Sequence, residues 1–166
     1  MGIKVKVGDV FLIPIKGEEW VGGQLLANRM KELYVAVYPK LVKKGETSVE
    51  DIIQQEPLFL ALTLDAKLWH GHWPIIGNTK KNIHTLPQPF FKWDSQKGTM
   101  IESRDQRVRR LAKAHEIPYL KYRTVVAPII LENAAKAHFG IGNWDYDYDD
   151  LKAEYAYETS KFRRGY

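Results

Sequence analysis

The chain has no cysteine, which excludes disulfides, thiolate nucleophiles and cysteine-ligated zinc in one step. No stretch approaches the roughly 20 consecutive apolar residues that cross a bilayer as a helix. The opening Met1-Gly-Ile-Lys-Val-Lys-Val-Gly-Asp9 lacks the apolar segment of a secretion signal. These absences lead to an expectation of a cytoplasmic protein with no membrane partner. Nucleotide fingerprints are missing too, because Gly8, Gly17 and Gly22-Gly23 have neither the dinucleotide nor the P-loop spacing. Ser48, Ser95, Ser103 and Ser160 lie in no Gly-x-Ser-x-Gly elbow. The adjacent carboxylates Glu18-Glu19 and Asp149-Asp150 point to different sides of any strand or helix, an arrangement unsuited to acid–base work. We therefore expect no catalytic residues, no enzyme and no cofactor.

What is present argues for a globular protein. The 166 residues are 45% hydrophobic and include five Trp and nine Tyr, enough to bury a core and to disfavour disorder. No linker or repeat interrupts residues 1–166, so a single domain is expected. The net charge of +5 brings nucleic acid into consideration as a partner. Charge is blocked along the chain: basic residues cluster at Arg104 to Lys113 and Lys161 to Arg164, acidic ones at Asp145 to Asp150.

The clearest local signal is a β-hairpin over Val7 to Leu26. Val10 to Ile15 is a β-branched and aromatic run, and Lys16-Gly17-Glu18-Glu19 is a turn in which Gly17 can take positive φ. Pro14 needs an edge, bulge or bend, which Gly22-Gly23 is expected to match in the returning strand. Val35 to Tyr38 extends the meander after a polar connection at Asn28 to Glu32. Ser48 and Asp51 open a short helix that Pro57 stops, and Leu58 to Leu64 reads as a central strand. Pro87 to Trp93 reads as an edge segment, followed by a turn and a short strand at Thr99 to Glu102. Tyr119 to Val126 is expected as a strand. Pro128 to Phe139 is the strongest helix, opened by proline, stopped by Gly140, with Ile130, Leu131, Ala134 and Ala137 inward. Together these elements specify an α+β fold with a strongly bent, mainly antiparallel sheet, SH3-like or half-open barrel in kind, and two to three packed helices.

The block Gly8-Asp-Val-Phe-Leu-Ile-Pro-Ile15, the return Trp20-Val-Gly-Gly-Gln-Leu-Leu26, and Trp73-Pro-Ile-Ile-Gly77 followed by Pro87 and Pro89-Phe90 resemble the immunity protein 26 family of bacterial polymorphic toxin systems. The resemblance covers roughly the first ninety residues. It implies a cytoplasmic protein that binds and neutralises a cognate toxin, with no catalytic residues to carry over.

Three stretches are candidate sites. His70-Gly-His72 could offer two imidazoles to a metal with His84, Asp65 or His115 as a third ligand, but histidines beside Trp69 and Trp73 more often pack or hydrogen-bond, and no metal is expected. Arg104, Arg107, Arg109, Arg110 and Lys113 lie in a basic loop or an amphipathic helix with Val108, Leu111 and Ala112 inward. If that segment is helical, Arg104, Arg107 and Arg110 share a face that suits phosphates or an acidic protein patch; the alternative is a solvated surface. Asp145-Tyr146-Asp147-Tyr148-Asp149-Asp150, if extended, shows carboxylates on one side and tyrosines on the other. The alternative is an acidic turn leading into a terminal helix. The leading expectation is a toxin-binding protein that uses this stretch with Trp69 and Trp73. The second is a small-barrel endoribonuclease or RNA-binding module of toxin–antitoxin type, which the positive charge favours, and the third is a structural subunit that scaffolds another protein.

Overall fold

The computed structural model describes residues 2–164. In chain order it forms β1 (Asp9–Lys16), β2 (Glu19–Arg29), β3 (Glu32–Val37), β4 (Val42–Lys43), α1 (Val49–Ile53), β5 (Phe59–Thr63), α2 (Ala66–Trp69) and β6 (Ile75–Asn78). There follow β7 (Phe90–Ser95), β8 (Gly98–Ser103), β9 (Arg109–Leu111), β10 (Val125–Val126), α3 (Pro128–His138) and α4 (Ala153–Ser160). The architecture is α+β and mainly antiparallel. Contacts divide the chain into two compact units: one runs to His84 and resumes over Val125–Ala153, and the other is Thr85–Thr124 and begins again at Glu154.

The larger unit holds a seven-stranded sheet in the order β10-β5-β3-β2-β1-β6, with β4 paired to β2 beside β3. It is not closed into a barrel. β10 runs parallel to β5, and all other pairings are antiparallel. The expected hairpin forms, with Lys16 opposite Glu19 and Gly17 at φ +57, the positive φ that primed turns require. Register shifts at Pro14/Lys16, Val10/Phe11 and Leu25/Ala27 bend the sheet, so Pro14 sits at a bulge as its missing N–H demands. Gly22 and Gly23 have a different cause from the bend expected of them. They pair with Leu12 and Phe11, and a Cβ on Gly23 would stand 2.3 Å from the Phe11 ring, so glycine there makes room for the core.

β3 begins three residues before the expected Val35, because Met30 and Lys31 both adopt positive φ (51° and 69°) and reverse the chain in two residues. Leu58 to Leu64 delivers β5, whose far side carries the two-residue β10 and an isolated bridge from Phe59 to Lys152. Ser48 caps α1 by accepting the Asp51 N–H at 3.2 Å. Phe11, Ile13, Val21, Leu25, Val35, Val37 and Phe59 form the core with Leu131, Ala134 and Ala135 of α3. Proline opens α3 as expected, but Ile130 is solvent-exposed and Ala135 takes the inward place. The face is fixed by Glu132, which accepts a hydrogen bond from the Trp73 indole at 3.0 Å. Trp73 itself stacks on Phe11 at 5.5 Å.

The smaller unit is built on the three-stranded antiparallel sheet β7-β8-β9. Phe90 and Ile101 point to one face and pack with Leu120 and Phe162, joined by Val108 and Ala112. Two segments differ from what their sequence predicts. The basic segment is neither a helix nor a plain loop, since Arg109–Leu111 is the third strand, with Val108 and Ala112 inward and Leu111 outward. Tyr119 to Val126 is largely irregular, and only Val125–Val126 is a strand.

Candidate functional site

The acidic segment does not extend. Asp145 caps a 3-10 turn over Tyr146–Leu151 by accepting the Asp147 N–H at 2.8 Å, the local bond that short acidic side chains offer in place of a strand. The predicted ladder of carboxylates facing tyrosines is thereby lost, and the turn leads through Lys152 into α4. Tyr148 is half-buried against the core and meets Trp144 edge-on at 5.4 Å. Trp144 stacks on Phe59 at 6.3 Å and donates its indole N–H to Asp149 at 3.0 Å. Lys152 lies over the same indole at 5.0 Å and pairs with Asp149 at 3.3 Å. Tyr146 is left outside this scaffold, 85% exposed, beside the exposed Asp145, Asp147 and Asp150. Trp144, absent from the sequence reading, is the residue that positions the turn; its place one residue before the acidic run was the available signal.

α2 and the 146–151 turn both pack on α3. Trp69, at the end of α2, is 44% exposed and accepts a backbone hydrogen bond from Ile3 at 3.0 Å. Trp73 has no exposed surface, so the structure moves it from the contact set to the core. His70 and His72 are exposed on the turn after α2 with ring centroids 6.2 Å apart, not on a strand. Among the described residues no group of three or more His, Cys, Asp or Glu is disposed to hold a metal. Asp9 of the Gly8-Asp9 signature is also structural. Its carboxylate accepts the Lys6 N–H at 2.8 Å and the Asn78 amide at 3.0 Å, stapling the strand ends of β1 and β6.

The basic segment belongs to the smaller unit, where most of its charge is already engaged. Arg110 makes a two-pronged pair with the fully buried Glu116 at 2.8 and 2.7 Å, and those bonds hold the Glu116 carboxyl below the ordinary glutamate range. Arg109 pairs with Glu102 at 3.3 Å and lies 4.9 Å over the Trp93 ring, while Arg104 bonds Gln88. Arg107 is highly exposed, near Asp105 at 3.8 Å, and Lys113 is exposed. Burial pushes the Asp105 carboxyl up, but the Ser103 hydroxyl, the Arg107 N–H and two arginine charges outweigh it and leave the group lowered. The helix that would have set Arg104, Arg107 and Arg110 on one face is not formed.

The profile of the immunity protein 26 family matches residues 6–99. No curated protein and no solved structure gives a significant match. The matched segment takes in β1 to β7 and the turn into β8, more than half of the length. On that match the chain belongs to the immunity protein 26 family.

Proposed function

We propose that this chain binds a cognate bacterial polymorphic toxin in the cytoplasm and neutralises it by covering its surface, without catalysis. Membership of the immunity protein 26 family carries this reading. The first contact site is the turn bearing Tyr146, supported by exposed Asp145, Asp147 and Asp150, with Trp69 as a second exposed aromatic in the same unit. A tyrosine presented from a turn anchored by Trp144 and Tyr148 offers contact area at small entropic cost, and the carboxylates suit arginine or lysine on a basic partner.

The probe is a purified polymorphic-toxin domain from the same genome as this chain. Co-expression should restore growth of cells making the toxin, and the two proteins should form a stoichiometric complex. Tyr146→Ala combined with Asp147→Lys should weaken that complex at least about tenfold. Unchanged affinity removes the site, and absence of both complex and rescue removes the function. The RNA-binding reading rests on positive charge alone. Binding of RNA that falls steeply with salt would favour it.

A further inference from the structure

Strand alternation in the smaller unit sends Phe90, Ile101, Val108, Arg110 and Ala112 to the inner face, where the apolar cluster and the Arg110–Glu116 pair lie. The opposite face carries Phe91, Trp93, Met100, Glu102, Arg109 and Leu111. Its two ends differ. At one end Phe91 is covered by Arg123 at 5.0 Å and by Tyr155 at 5.9 Å. At the other, Trp93 is opposite Met100 and Met100 opposite Leu111, a row across all three strands. Trp93 and Met100 are half-buried and Leu111 is 52% exposed. Leu111 reaches to within 3.9 Å of where a Cβ on Gly98 would stand, which places the exposed Lys97 of the β7–β8 turn beside the row. Arg109 flanks it, and Lys113 follows two residues after Leu111.

We infer that this open end is a second toxin-contact surface, whose complement is an apolar centre ringed by carboxylates. The inference rests on the proposed function. Charge selects the partner's sign: the sequence of the smaller unit carries twelve Lys/Arg against six Asp/Glu, a net of +6, whereas the larger unit has thirteen against fourteen. Two-fold pairing of this face with the same face of a second copy would bring like charge to like charge. Stacked bases are disfavoured because the Trp93 ring is already occupied by Arg109, and Met100 and Leu111 have no π face. Met100, Arg109, Leu111 and Lys113 also lie beyond residue 99, where the family match ends, so this surface can be particular to one chain on a shared scaffold.

Leu111→Asp should weaken binding of the toxin domain that the wild-type chain binds at least about tenfold. Lys97→Glu with Lys113→Glu should slow association several-fold at low salt, an effect that fades as salt rises. Both changes are at exposed positions, and unaltered circular dichroism and melting would confirm that the fold is kept. A toxin that binds the wild-type chain and both variants equally overturns this inference while leaving the proposed function intact. A toxin that does not bind the wild-type chain overturns both. Binding of a uridine oligonucleotide that Leu111→Asp abolishes would assign the face to nucleic acid and overturn it as well.

Discussion

In the larger unit a sheet is buried largely by apolar contact, and its interior polar groups include a neutral chain, in which Tyr38 donates to Gln24 at 2.8 Å and Gln24 to Asn82 at 2.9 Å. Beside it lie the buried carboxylates of Asp9 and Glu132, which accept from Asn78 and the Trp73 indole. In the smaller unit four fully covered apolar side chains form the cluster, and around them arginines are set into carboxylates, Arg110 into Glu116 and Arg123 into Glu102 at 3.2 Å. Small sheets bury too little surface to hold themselves by apolar contact alone. Charge here substitutes for core volume, and that makes the smaller unit the one sensitive to loss of a partner.

The largest effect should come from Phe11→Ala, which removes the ring under Trp73 and costs about 3–5 kcal/mol; hydrogen exchange should speed through β1, β2 and β3. Arg110→Ala should come close, at about 3–5 kcal/mol, because it strands the buried Glu116 carboxylate. Its exchange signature should be confined to β7, β8 and β9. Equal loss of protection in both sheets would break the contrast. Arg110→Met with Glu116→Leu should recover most of the loss, since a packed apolar pair often equals a buried ion pair.

Acid gives a gentler version of the same contrast. Glu116 is held below its ordinary value, so its contribution is complete above that value and disappears as the pH falls through the lowered one. Below about pH 4, therefore, β7–β9 should lose exchange protection before β1–β3. Trp73→Phe should cost about 1–3 kcal/mol by leaving Glu132 with Lys136 as its remaining partner at 3.2 Å. Smallest of all, Lys81→Ala breaks an exposed pair with Glu50 and should shift stability by less than about 1 kcal/mol.

The local devices were legible in the sequence. A glycine turn, a serine cap and a proline-opened helix each act within a few residues, and the first hairpin, α1 and α3 all form as expected. The basic segment was misread because what makes β9 a strand is remote. Arg109 faces Glu102 across the β8–β9 ladder and Arg110 reaches the Phe162 carbonyl, 52 residues further on, contacts set by strand pairing and tertiary packing rather than by local spacing. Trp73 and Ile130 differ from expectation for a related reason: the inward side of α3 is set by contacts outside the helix, with Leu131, Ala134 and Ala135 on the core and Glu132 bonded to the Trp73 indole. The candidate turn was visible as an acidic-aromatic run, but its shape depends on Trp144 reaching Phe59 and Asp149.

The larger unit stops at His84 and resumes at Val125, and this has a consequence for synthesis. The β1–β2–β3 meander is a sequence of local reversals that can form as soon as it leaves the ribosome. Its core face must then wait for α3, whose last residue is His138, with the forty residues Thr85–Thr124 emerging in between. During that interval Phe11, Leu25, Val35 and Phe59 have no helix to cover them, a state open to misassociation. A nascent chain cut short before α3 should therefore aggregate, and the core of the larger unit closes only once the chain has been translated through His138.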